Sequence, residues 1–268
     1  MPALIDLHCH YLPFVDDGPD SVQQAVQLVA LSLSRGISHA VLTPHVYPGI
    51  WDNTLEALQP KFDAFVRLLA QSGLPLSLTL GGEVRLHPEC LEMATRGTLP
   101  TLGTWEGDRV VLLELPDGNV PVGAEAAVSF LRARGYRPMI AHPERNKDVM
   151  ADYRRMKPFV DAGCLLQITA ASVIGGFGAN AQRAALQLLD TGAVTVIATD
   201  AHNLAHRPPL LAEARGALLA RYGAEVAEAL TLTTPARILG IPVEARPDTP
   251  PAEAGGAAVL HKEPSGAV

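Results

Sequence analysis

Basic charge is scarce in this chain of 268 residues. Lys and Arg number 21 against 28 Asp and Glu, and no Lys/Arg run interrupts the formal net charge of -7. A surface without a basic stripe lacks the electrostatic footprint that nucleic acid or an anionic membrane requires. Cysteine is scarcer still. Cys9, Cys90 and Cys164 are widely spaced and odd in number, which argues against a disulfide framework and for a reducing compartment. No run of about 18 apolar residues occurs, so no membrane span is expected. The opening MPALIDLHCH has no basic region followed by an apolar stretch, so no secretory signal is expected either. These absences point to a cytoplasmic globular protein with no nucleic-acid partner.

What is present alternates. Short β-type runs occur at 3–8, 38–45, 76–83, 109–116, 137–144, 165–169 and 194–202. Between several of them lie amphipathic stretches such as SVQQAVQLVALSLSRG, AEAAVSFLRARG and NAQRAALQLLDTG, whose closing glycines are usual helix stops. Strands that are apolar almost throughout suit a parallel sheet buried on both faces. Seven strand–helix alternations predict an α/β fold, read as a distorted seven-stranded barrel. No glycine-rich nucleotide fingerprint follows the first strand, where a dinucleotide-binding sheet would carry one. The segment 243–268 is rich in Pro, Ala and Gly without an apolar period, and a disordered tail is expected there, leaving residues 1–242 as the folded unit.

Six of the seven strand ends carry metal-ligand side chains. The first ends in His8-Cys9-His10, with Asp16-Asp17-Gly18 close behind; the second ends in Thr43-Pro44-His45 and the third in Gly82-Glu83. The fourth carries Glu114, the fifth His142-Pro143-Glu144-Arg145 and the seventh Asp200-Ala201-His202, while the sixth offers only Gln167 and Thr169. In a parallel barrel all strand C-termini open on one face, so these residues converge there. Period-two alternation puts both imidazoles of His-x-His on one side and turns Cys9 away into the core. Imidazole and carboxylate together are the donors expected for Mn, Fe or Zn. A single histidine at a strand end is commonly an ordinary core or surface residue; five of nine at equivalent places are not so explained. His39, His87, His206 and His261 fall outside the pattern. Asp16 and Asp17 are equivalent on these grounds.

The succession IDLHCHYLPFVDDGPDS, TPH, GGEVRL, LLELP, IAHPERN, QITAASVIGGFG and ATDAHNLAHRP resembles the polymerase-and-histidinol-phosphatase (PHP) domain. More narrowly, the sequence looks like the bacterial manganese-dependent protein tyrosine phosphatases of capsule and exopolysaccharide synthesis, over about residues 4–240. The resemblance implies a distorted (β/α)7 TIM-like barrel and a site for three divalent ions, manganese first, with iron, cobalt or zinc as alternatives. It implies one metal on His8, His10, Glu83 and Asp200, a second on Glu83, Glu114 and His142, and a third on Asp17, His45 and His202. Arg145 and Arg207 match arginines that contact phosphate. The implied reaction is attack of a metal-bound hydroxide on a phosphotyrosyl protein, the tyrosine-rich tail of a polysaccharide-synthesis kinase. A small phosphomonoester such as histidinol phosphate is the alternative substrate.

Cys90 and Arg96 have the C-x5-R spacing of cysteine-dependent tyrosine phosphatases, but helix-forming residues and Glu92 lie between them. That chemistry needs a loop of free amides around a thiolate of lowered pKa, so the match is read as fortuitous. Tyr47, Trp51 and the Gly-rich loop around Phe177 are candidates to line the substrate entrance.

Overall fold

A computed structural model describes residues 4–242; the expected tail, 243–268, lies outside the described residues. The strands are β1 Leu4–Cys9, β2 Ile37–Leu42, β3 His45–Val46, β4 Ser77–Leu80, β5 Glu83–Arg85, β6 Gly103–Trp105, β7 Asp108–Glu114, β8 Tyr136–Ala141, β9 Leu165–Thr169 and β10 Val196–Ala198. The α-helices are α1 Val22–Ser34, α2 Leu55–Gln71, α3 Pro88–Arg96, α4 Ala124–Arg132, α5 Lys147–Ala151, α6 Lys157–Asp161, α7 Ala170–Val173, α8 Gly178–Asp190, α9 Leu211–Glu228 and α10 Thr234–Leu239. Side chains at the helix starts contribute where the sequence provides them. Ser21 accepts from Gln24 N at 3.2 Å and Thr54 from Ala57 N at 3.2 Å, each satisfying one amide of an exposed first turn.

Parallel pairing runs β1–β2–β4 in one sheet and β10–β9–β8–β7–β5–β3 in the other. The two sheets share staves. β3 resumes the line of β2 after Thr43-Pro44, and β5 resumes β4 after Gly81-Gly82. Backbone bonds carry the ladder across both breaks: Thr43 N to Cys9 O at 2.9 Å, Gly81 N to Leu42 O at 2.8 Å and Glu83 N to Pro44 O at 3.1 Å. Between β10 and β1, Asp200 N donates to His8 O at 2.7 Å and His10 N to Ala201 O at 2.9 Å. Buried Asp6 completes that seam by accepting from Thr199 N at 2.9 Å. The result is a ring of seven staves, a distorted (β/α)7 barrel as expected. The expected runs overshoot the strands, however, because Thr43-Pro44 and Gly81-Gly82 interrupt two of them. The short β6, which pairs antiparallel with β7, was not anticipated.

Alternation along β7 shows how the core divides. Val110 and Leu112 pack inside with Ile5, Leu7, Met139 and Val196, while Val111 and Leu113 face the outer helices with Ile140 and Ile168. All are buried to within a few per cent, each contributing about 1.5–3 kcal/mol relative to exposure. Ala236 and Ile238 of α10 join the inner cluster and pack beside β6 at the start of β7. α10 therefore sits at the end of the barrel opposite the strand C-termini.

Candidate metal centre

The strand ends bring their ligands together by register. His45 pairs with Glu83 across β3 and β5, and Arg85 pairs with Glu114 across β5 and β7. Two glycines permit close approach. A Cβ on Gly82 would stand 2.7 Å from the Pro100 ring, and one on Gly18 would stand 2.4 Å from His10 O. Either contact would force the adjoining ligand loop outward. His142 (φ 32°) and Asp200 (φ 51°) adopt the left-handed region, which costs a non-glycine residue about 1–2 kcal/mol. Strain of this kind concentrates at functional sites.

Four donor atoms form the centre of the cluster. His8 Nε2 lies 3.1 Å from His10 Nε2, 3.3 Å from Glu83 Oε2 and 3.2 Å from Asp200 Oδ1. His10 Nε2 lies 3.4 Å from each of the same two oxygens. The tautomers follow from the far side of each ring. His8 Nδ1 meets Gln167 Oε1 at 3.0 Å, and His10 Nδ1 meets Asp16 Oδ2 at 2.8 Å. Both partners accept, which puts each neutral ring's proton on Nδ1 and leaves both Nε2 lone pairs facing two carboxylate oxygens. Glu83 Oε2 and Asp200 Oδ1 are buried and have no hydrogen-bond partner. Four lone pairs in mutual contact repel unless a cation lies among them. Ligands about 2.1 Å from a tetrahedral ion stand about 3.4 Å apart, close to the separations here. The donor set therefore fits a divalent metal.

Two further groups adjoin the first. Asp17 Oδ1 is 3.3 Å from His45 Nε2 and 3.1 Å from His202 Nε2, and the atoms of His10, Asp17, His45 and His202 lie within 4.8 Å of one another. His45, Glu83 and Glu114 form the third group. Glu83 and Glu114 of the expected second set are thus joined by His45, and His142, the third member of that set, brings Nε2 to within 2.7 Å of Glu83 Oε1. The nine side chains form one connected cluster through these contacts.

Electrostatics match the geometry. Burial alone would lower His8, but the Glu83 and Asp200 charges outweigh it and hold its pKa at about 10. Protons thus take the cations' role when no metal is bound, and metal loading must release them. Burial, with the neighbouring Arg145 charge, lowers His142 to about 4; burial, with His10, does the same for His202. Both are neutral and ready to ligate near pH 7. Burial and the Glu83 carboxylate push Glu114 up to about 7.

Arg145 Nη2 reaches Asp200 Oδ2 at 2.8 Å, and Arg207 Nη2 binds the same oxygen. Asp200 thus offers one oxygen to the arginines and the other to the histidines. Arg207 Nε is buried without a partner, and both arginines line a pocket of about 510 Å³ with Asp17, His45 and Glu114. The Phe177 ring lies 4.9 Å from the Arg145 guanidinium. Sequence reasoning overlooked the tethering roles of Asp16 and Gln167; their polar side chains beside ligand-bearing strand ends were the available signal. Glu144 accepts from Thr169 N at 3.0 Å and Ser172 Oγ at 2.6 Å, fixing the HPER turn to β9. Cys9 packs in the core. Cys90 is buried within α3, and Arg96 pairs with Glu92 at 2.9 Å, so no C-x5-R anion loop exists.

The family described as "Capsular polysaccharide synthesis, CpsB/CapC" matches residues 4–240. The chain belongs to the CpsB/CapC family. It is 31% identical to the tyrosine-protein phosphatase YwqE of Bacillus subtilis, covering 85% of this chain and 89% of YwqE. It is 31% identical to the putative tyrosine-protein phosphatase CapC of Staphylococcus aureus, covering 78% of this chain and 80% of CapC. A solved chain from crystal structures of B. subtilis YwqE and Streptococcus pneumoniae CpsB, described as unique metal-dependent tyrosine phosphatases, superposes with a TM-score of 0.81. It is 30% identical, covering 88% of this chain and 96% of that one. An organophosphorus hydrolase from Deinococcus radiodurans shares the fold at a TM-score of 0.57 and 14% identity.

Proposed function

We propose that this CpsB/CapC protein is a cytoplasmic, metal-dependent phosphotyrosine phosphatase, with the tyrosine-rich tail of a polysaccharide-synthesis kinase as its substrate. The observation that carries the reading is the quartet of His8 Nε2, His10 Nε2, Glu83 Oε2 and Asp200 Oδ1, in which the two imidazole nitrogens lie 3.1–3.4 Å from each other and from both carboxylate oxygens, beside two arginines. Membership in a family whose relatives are named tyrosine phosphatases supports it. Among the described residues no helix is long and apolar enough to cross a membrane.

In this reading residues 1–242 form the catalytic unit and hold three divalent ions, manganese first. His8, His10, Glu83 and Asp200 hold one; Glu83 and Glu114 hold a second with His142; Asp17, His45 and His202 hold the third. When bound, these ions supply Lewis acidity at the phosphoryl oxygens and acidify water toward neutral pH. Asp16 and Gln167 keep the rings of His10 and His8 in the ligating tautomer. Arg145 and Arg207 bind the phosphoryl oxygens and stabilise the charge that spreads over them in the transition state. A phenolate leaves with a pKa near about 10, so little general-acid assistance is required. The test compares kcat/KM on a phosphotyrosyl peptide and on histidinol phosphate, before chelation, after it, and after manganese is restored. Preference for the peptide with manganese-dependent recovery is the expected result; preference for histidinol phosphate rejects the substrate assignment.

A further inference from the structure

The pocket before the metal centre is charged on most of its wall. Its apolar side chains, Tyr47, Ile50 and Trp51, all come from the loop that follows His45. That loop is closed on itself. Tyr47 N donates to Trp51 O at 3.0 Å, Trp51 N to Tyr47 O at 2.8 Å and Ile50 N to Tyr47 O at 3.0 Å. Gly49 takes the left-handed turn position (φ 81°), and Gly49 N donates to Asp52 Oδ1 at 2.7 Å. Asn53 Nδ2 ties the far end back to His45 O at 2.8 Å and Val15 O at 3.0 Å.

The aromatic side chains are held as firmly as the backbone. The half-buried Trp51 ring stacks on the His45 imidazole, with centroids 4.7 Å apart and planes 13° from parallel. Arg85 lies 5.2 Å over the Tyr47 ring while its Nη1 reaches Glu114 Oε1 at 3.0 Å. Ile50 remains 59% exposed although it borders the pocket. Phosphate recognition accounts for the arginines and the carboxylate–histidine cluster, but it has no use for a rigid apolar wall beside them. An aryl leaving group does, because a planar ring gains both burial and stacking there without an ordering cost to the protein.

We propose that Trp51, with Tyr47 and Ile50, is the specificity wall that seats the aromatic ring of the phosphoester, so that this loop selects aryl over alkyl phosphates. The inference rests on the phosphatase reading and adds a specificity determinant to it.

Binding can be followed without turnover, since the chain has two tryptophans. Trp105 lies on β6 at the far end of the barrel, under the Arg237 guanidinium at 4.1 Å. In a Trp105→Phe variant loaded with manganese, phenylphosphonate should quench Trp51 fluorescence, whereas inorganic phosphate at saturation should not. Trp51→Leu should raise KM for p-nitrophenyl phosphate about 5-fold or more, the scale of a lost aromatic contact. Its Ki for inorganic phosphate and its metal content should stay at the wild-type level, and Trp51→Phe should recover most of the loss. Equal rises in KM and Ki, or loss of metal, would show that Trp51 merely supports His45 and would overturn the inference alone. Unchanged KM or an absent phenylphosphonate signal would overturn it too. A wild-type protein that hydrolyses no aryl phosphate overturns the phosphatase reading, and the wall with it.

Discussion

The two ends of the barrel carry charged clusters of opposite character. At the N-terminal end, Asp108 binds Arg132 and, at 3.1 Å, Arg137, which also pairs with Glu106 at 3.0 Å. Each of these four charges has a partner of the other sign, and Asp108 is partly open to solvent. At the C-terminal end the donors of His8, His10, Glu83 and Asp200 are fully buried, face one another and include two carboxylate oxygens with no partner. One network is complete as it stands, whereas the other needs added cations, whether protons or metal. Clusters of ionisable residues are thus told apart by what their atoms lack, since a buried polar atom without a partner costs about 1–3 kcal/mol unless a ligand satisfies it.

The contrast can be broken most severely at Asp200, which joins the quartet to both arginines. Asp200→Ala should lower kcat by about 10²-fold or more, the cost of deleting one aimed electrostatic group, with a matching loss of bound metal by elemental analysis. Activity within twofold of wild type would remove Asp200 from the site. Next in size is Asp16→Ala. It deletes no ligand but frees the His10 ring and the His45 and Gly18 amides that Asp16 also accepts from, so metal affinity or activity should drop about 10–100-fold. Excess manganese should recover part of the loss, and failure to do so would place Asp16 elsewhere in the mechanism. Asp108→Asn probes the completed network. Chemical denaturation should register about 1 kcal/mol or less, with kcat/KM unchanged; a catalytic defect would undo the division between the two ends.

The smallest effect should come from thiol reagents. Burial pushes the Cys90 and Cys164 thiols up to about 12 and raises Cys9 well above its ordinary value. Thiolate is therefore rare at pH 8, and iodoacetamide should leave activity intact until the protein is unfolded. Rapid inactivation in the native state would revive a cysteine mechanism.

Much of this arrangement was legible in the residues. Ligand types recur after parallel strands, and strand C-termini must share one face, so the nine positions and the barrel followed from pattern and resemblance together. The tethers were not legible, because the choice between Asp16 and Asp17 depends on which ring nitrogen each carboxylate meets. Asp16 takes His10 Nδ1 while Asp17 faces the Nε2 atoms of His45 and His202. Nor does the residue pattern reveal that the Thr43-Pro44 and Gly81-Gly82 breaks carry His45 and Glu83 inward. Those breaks place His45 beside Glu83 and Glu114 as well as beside Asp17 and His202.

The most direct test of the central claim is anomalous diffraction at the manganese edge from a crystal grown with manganese. Three peaks are expected among the nine ligands, one of them within bonding distance of His8 Nε2, His10 Nε2, Glu83 and Asp200. A map with full manganese in the crystal and no peak among those four donors would contradict it.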